Sequence, residues 1–214
     1  MKLISVNVGL PRLLSWQGAT FKTGIFKNPV QGKVMLRATN LDGDRQADLT
    51  VHGGPNKAVY AYPSEHYPAW QEELPDGERG WGAFGENFTT ERLLESKVCV
   101  GDRFEIGDAV LRVTTPRLPC FKLAAKFQRE DIIKRFVKNG RCGFYFSVIR
   151  EGEVAAGDEI KLIGSETATL SVAEVNELYT SATPDRATLE RSLDVQFLPQ
   201  SWRDRFRARL AEIK

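Results

Sequence analysis

The chain has 214 residues, 42% hydrophobic and 27% charged, the proportions of an ordinary globular protein that can bury a core without disulfides or a structural metal. Lysine and arginine exceed aspartate and glutamate by two, 30 against 28, so overall charge neither demands nor forbids an anionic partner. Three cysteines without a C-x-x-C pair, and only two histidines, speak against a secreted disulfide scaffold, a tetrahedral structural zinc site and a His-rich metal centre.

The first residues carry one lysine and a short apolar run that Asn7, Gly9 and Pro11 interrupt. A secretory core needs about 7–15 apolar residues. A membrane span needs about 20. The expectation is a cytoplasmic protein with reduced thiols and no membrane partner. Up to about residue 164 the pattern is one of strands and turns. Leu3–Val8, Val34–Thr39, Lys97–Val100, Arg103–Ile106, Ala109–Thr114, Gly143–Ile149 and Glu159–Ile163 read as short strands, and Gly101-Asp102, Gly107-Asp108 and Gly157-Asp158 read as turns between them. Antiparallel pairing into a barrel or sandwich follows. Helices interrupt twice: a short one capped by Ser64, with Tyr67, Trp70 and Leu74 inward and Glu72 and Glu73 outward, and a longer one over Cys120–Asn139 that Gly140 stops.

Residues 171–214 contain no glycine, and their apolar spacing becomes helical. Val172, Val175, Leu178 and Tyr179 form one face, Leu189 and Leu193 sit four apart, and Trp202, Phe206, Leu210 and Ile213 form another stripe. Pro184 and Pro199 fall where helices can begin. The predicted fold is mainly β with helices, of the α+β class: a barrel-like domain over 1–164, then a small three-helix domain over 165–214.

Charge is unevenly spread. Residues 112–150 hold ten lysines and arginines against Glu130 and Asp131, a local +8 that leaves −6 elsewhere within a net +2. Within this segment, Arg117-Leu118-Pro119-Cys120-Phe121-Lys122 is the most informative run. Pro119 keeps its predecessor out of helical space, so Cys120 is placed at the first turn of a helix between two cations. That setting favours a thiolate, as nucleophile or metal ligand. The competing reading is a buried inert cysteine, which is the expectation for Cys99 and Cys142. Gly80-Trp81-Gly82-Ala83-Phe84-Gly85 matches G-x-G-x-x-G, but no strand leads in and no helix follows, so a dinucleotide loop is rejected. His52–Lys57, with Gly53-Gly54, lacks the ending of a phosphate loop, yet its glycines can form either a small anion nest or a plain turn.

Five stretches stand in a recognisable order: Thr23-Gly24-Ile25-Phe26-Lys27, Gly43-Asp44-Arg45-Gln46-Ala47-Asp48, His52–Val59, Phe84-Gly85-Glu86-Asn87 and Pro116–Lys122. Together they resemble the MOSC family, named for the C-terminal domain of molybdenum-cofactor sulfurases, and the tail resembles the three-helix extension of its YiiM-like, 6-N-hydroxylaminopurine resistance subgroup. The resemblance implies a β-rich, barrel-like domain that binds a molybdopterin-type cofactor, with Cys120 as molybdenum ligand and catalytic residue. It also implies detoxifying reduction of N-hydroxylated bases to amines, with electrons from a separate reductase. A cofactor bearing a phosphate and a dithiolene calls for cations and one soft ligand. The candidates are Lys27, Arg45, Lys57, Arg117, Lys122 and Arg141 for its anionic part, and His52, Tyr60 and Asn87 for hydrogen bonds to pterin or substrate.

Two rival readings remain. Cys120 could instead carry a persulfide to another protein or cofactor, in a chain with no pyridoxal-phosphate domain to generate the sulfur. A nucleic-acid module would use Arg203, Arg205, Arg207 and Arg209, but alternate spacing scatters them around a helix, and Glu190, Asp204 and Glu212 dilute them.

Overall fold

A computed structural model describes residues 1–48, 53–72, 74 and 80–213. Among them the strands and helices run β1 (Lys2–Val8), β2 (Arg12–Trp16), β3 (Ala19–Thr23), β4 (Asn28–Pro29), β5 (Val34–Leu36), β6 (Val59–Pro63), α1 (Tyr67–Gln71), β7 (Phe88–Glu91), β8 (Arg103–Ile106), β9 (Ala109–Pro116), α2 (Phe121–Phe127), α3 (Ile132–Asn139), β10 (Phe144–Arg150), β11 (Gly152–Val154), β12 (Ile160–Gly164), α4 (Val172–Thr180), α5 (Arg186–Ser192) and α6 (Gln200–Glu212).

Eight strands form one sheet in the order β12-β8-β9-β10-β6-β7-β1-β4. All its pairs are antiparallel except β6–β7. A parallel pair needs a long crossover, and residues 64–87 supply it, α1 included. The sheet does not close into a barrel through a continuous ladder. Its far ends are tied by a Lys2–Glu159 bridge and by bonds from Leu3 N to Asp158 O (2.9 Å) and Gly157 N to Leu3 O (2.7 Å). The Gly-Asp turns work as their chemistry requires. Gly101 and Gly157 have φ of 98° and 100°, a region side chains disfavour. Asp102 and Asp158 each accept a backbone N–H at 2.8 Å, from Cys99 and Ala155.

Three apolar clusters result. Leu3, Leu36, Phe88, Phe104, Phe144 and Phe146 belong to the one inside the sheet. A second, strongly aromatic one joins Tyr62, Trp70 and Phe84 to Phe127 and Phe136. The third holds α4, α5 and α6 together through Val175, Leu189 and Phe206, and includes Val100 of the sheet domain.

Several elements differ from expectation. Lys97–Val100 forms a turn ending in a single Cys99–Ser171 bridge, because Asp102 draws the Cys99 N–H out of any ladder. Val34–Thr39 is strand only to Leu36. The Cys120–Asn139 helix is two helices. Gln128 adopts φ 52° and closes α2 by donating its backbone N–H to the carbonyls of Ala124 and Ala125, and the reversal lets α3 bury Ile132 and Phe136. Phe121 is half exposed and packs edge-on against Phe21 at 4.8 Å. Ser64 begins a 3-10 turn rather than capping α1. Glu73 lies outside the described residues. In the tail Pro199 directly precedes α6, whereas α5 is capped by Asp185, one residue after Pro184. The β2–β3 ribbon, not anticipated, leans on α2 through Phe21, and Gln17 at its tip donates to Glu130.

Candidate active site

The β9–α2 turn and β10 are locked side by side. Arg117 N donates to Gly143 O at 3.1 Å, and Gly143 N donates to the buried Glu95 at 2.7 Å. Gly143 is required here: at φ 63° a Cβ would stand 2.4 Å from Ala61 O and 2.7 Å from the Tyr60 ring. This clamp aims Arg117, Cys120 and Tyr145 into a cleft of about 660 Å³, open mouth included.

Of the three cysteines only Cys120 lines that cleft. It sits half-buried in extended conformation just before α2. Cys142 is buried, and burial pushes its thiol well above the ordinary range with Glu95 adding to the effect. Burial also raises Cys99, with Asp102 and Glu174 reinforcing it. Neither favours a thiolate.

Behind Cys120 lies Arg117, 5% exposed, its guanidinium 5.4 Å from the centre of the Tyr60 ring and 5.5 Å from that of Phe136. Its Nη1 is buried without a hydrogen-bond partner among the described residues. Arginine cannot shed its charge, and a buried, unsatisfied donor is costly. Lys122, 9% exposed, also lines the cleft and makes neither hydrogen bond nor ion pair among the described residues. Burial raises the phenols of Tyr60 and Tyr145, so both stay protonated at neutral pH.

The remaining candidates divide. Lys27 lines the cleft but is paired with Asp44, and burial lowers its pKa against that partner's pull. Lys57 is half-buried, lowered by desolvation, and at the rim. Tyr60 turns its hydroxyl away, to Cys142 O at 2.9 Å. Asn87 is fully engaged, donating to Asp44 (3.0 Å) and Asn7 O and accepting from Tyr60 N. Lys27, Lys57, Tyr60, Asn87, Arg117, Cys120 and Lys122 are thus brought to one cleft. Arg45 and Arg141 are not. Arg45 is exposed and turns its backbone carbonyl, not its side chain, toward Gly24, while Arg141 lies outside the lining. His52 lies outside the described residues. Asp44, which fixes Lys27 and Asn87, and Tyr145 carry no distinguishing chemical signal in the sequence, although Asp44 stands in the Gly43–Asp48 motif and Tyr145 in a predicted strand.

The rejected glycine motif holds a carboxyl group of the protein's own, whose pKa burial raises against the hydrogen bonds it accepts. Gly82 N and Phe84 N donate to the Glu86 carboxylate at 2.8 and 3.0 Å, the hydroxyls of Tyr67 and Thr89 join them, and β7 follows rather than a helix.

The MOSC domain family model matches residues 48–161, more than half of the chain. The chain belongs to the MOSC family. A second model, the YiiM-like 3-alpha helix domain, matches residues 170–212 of this MOSC protein. YflK of Bacillus subtilis (strain 168) is 41% identical over 95% of this chain and 92% of its own. YiiM of Escherichia coli (strain K12) is 37% identical over 84% of this chain and 81% of its own. A protein of Gibberella moniliformis named "Reductase" is 36% identical over 75% of this chain, which spans 29% of that protein. The crystal structure of YiiM from Geobacillus stearothermophilus superposes with a TM-score of 0.79 at 34% identity, covering 98% of each chain. The MOSC family is associated with molybdenum cofactor, and the cleft's donor set fits such a group: one accessible thiol, a buried guanidinium whose Nη1 has no partner among the described residues, and a lysine with none among them either. Among the described residues no helix is long and apolar enough to cross a membrane.

Proposed function

We propose that the chain is a cytoplasmic, molybdenum-cofactor-dependent reductase that converts N-hydroxylated purines and related bases to amines. The observation carrying this reading is Cys120, the one thiol at the cleft, set before a buried Arg117 whose Nη1 lacks a partner. Cys120 would hold the metal as thiolate. Arg117 and Lys122 would bind the cofactor's phosphate, Lys57 would add positive charge at the rim, and Tyr60 and Tyr145 would wall the pterin and exclude water. When bound, the cofactor supplies the two-electron chemistry by which R–NHOH, two electrons and two protons become R–NH2 and water. A separate reductase protein supplies the electrons.

Elemental analysis of protein made in a cofactor-competent host should find molybdenum in the wild type. Cys120→Ala should remove the reduction of 6-N-hydroxylaminopurine while leaving the melting temperature within a few degrees. Full activity in that variant, or a wild type without molybdenum, overturns the assignment. Cys120 also opens on a second groove, which suits the persulfide reading. A stable adduct of about 32 Da on Cys120 with no molybdenum bound would establish that alternative.

A further inference from the structure

A second groove of about 970 Å³, mouth included, opens between the β9–α2 turn and the C-terminal helices. Cys120 and Tyr145 line both hollows, so the two share a floor at the thiol. The far wall is Tyr179 of α4 with Trp202 and Arg205 of α6. The Tyr179 and Trp202 rings lie 4.9 Å apart at 45°, and the Arg205 guanidinium stands 4.0 Å from the centre of the Tyr179 ring.

The arginines of α6 are not alike. Arg203 donates to the carbonyls of Val195 and Gln196 and to Gln200. Arg207 donates to Asp204, and Arg209 to the carbonyls of Leu178, Tyr179 and Ser181. Arg205 has neither hydrogen bond nor ion pair among the described residues. Stacking on a ring fixes the plane of a guanidinium while its N–H edge stays available. Aromatic faces that take a base and an arginine fork that reads acceptor atoms are the usual means of gripping a nucleobase.

We infer that this groove is the substrate subsite. A planar heteroaromatic N-hydroxylamine, purine-like in shape, packs its ring on Trp202 and Tyr179, offers an acceptor edge to Arg205 and directs its N–OH toward Cys120. The three-helix extension therefore selects the substrate, and the sheet domain holds the reacting centre. The inference rests on the reductase reading for the identity of the reacting group, but not for the ring site itself.

Titration calorimetry of the full chain with adenine, which has the ring but no N–OH to reduce, separates the two. Adenine should bind the wild type, and Trp202→Ala and Arg205→Ala should each weaken it about tenfold, the scale of one aromatic–base stack. Trp202→Phe, which keeps a ring, should recover most of the loss. Because Trp202 also packs against Phe206, the exposed Arg205 decides the matter if Trp202→Ala fails to fold. In molybdenum-loaded protein, the ratio of kcat/KM for 6-N-hydroxylaminopurine to that for hydroxylamine should fall by the same factor, through KM. Adenine binding wild type and Arg205→Ala equally, or not binding wild type, overturns the subsite. Adenine binding that depends on these residues, in a loaded protein that reduces neither compound, upholds the subsite and overturns the reductase reading instead.

Discussion

Two regions of this molecule bury ionisable groups and treat them in opposite ways. Around Glu86 four donors converge on one carboxylate, from Tyr67, Gly82, Phe84 and Thr89. In the cleft Arg117 is as deeply buried, yet its Nη1 has no partner among the described residues. A buried polar group with its bonds complete is architecture, whereas one left short is a place for something to bind. The glycine motif at 80–85, rejected from sequence as a dinucleotide loop, belongs to the first kind, since its nest is filled from within.

The contrast can be broken from either side. Glu86→Ala should have the largest effect on stability, on the order of 4 kcal/mol, because it strands four donors at once. Chemical denaturation would measure it, and a loss under about 1 kcal/mol would mean that the nest tolerates vacancy. Arg117→Met should do the reverse. The cofactor-free protein should hold its stability or gain about 1 kcal/mol, since a buried charge with one donor unsatisfied among the described residues is replaced by an apolar chain. Molybdenum retention should fall about tenfold or more, in line with the loss of a charge-assisted bond to phosphate. The smallest effect concerns Asp131, which Arg129 and Arg135 hold down to about 2. A depressed carboxylate contributes stability above its ordinary range and loses it as pH falls through the lowered value. Asp131→Asn should therefore be slightly less stable than wild type at pH 7 and equal to it near pH 2, in paired thermal melts. Exposure keeps the difference small.

Much of the architecture is legible where local chemistry forces it. The Gly-Asp turns announce themselves because glycine alone takes the positive φ comfortably and aspartate accepts the backbone N–H that the turn strands. The tail helices are legible because their stripes, buried or partly buried, pack into one apolar cluster with the spacing they show. Val59–Pro63 carries no strand signal because every residue of β6 is buried, so no alternation marks it, and its parallel partner lies across a long crossover. The break at Gln128 escaped because glutamine carries no signal for left-handed backbone. At the site, Arg117, Cys120 and Lys122 could be found together because they are neighbours in sequence. Arg45 and Arg141 show the limit of counting charges: which way a side chain turns depends on packing from distant segments. Lys27 carries the same lesson, since its partner Asp44 and the groups that also donate to that partner, Asn87 and Gly9 N, come from separate segments.

The β2–β3 ribbon bears on how the cleft relaxes. Its last residue, Thr23, together with Gly24 and Ile25, edges the Cys120 hollow, yet a two-stranded ribbon has little stability of its own. It is held by Phe21 on Phe121, by Arg12 stacked 3.3 Å from the centre of the Phe26 ring, and by Gln17 on Glu130. In deuterium uptake its amides should therefore exchange well before those of β9 and β10, so that one border of the hollow softens while the opposite wall stays rigid.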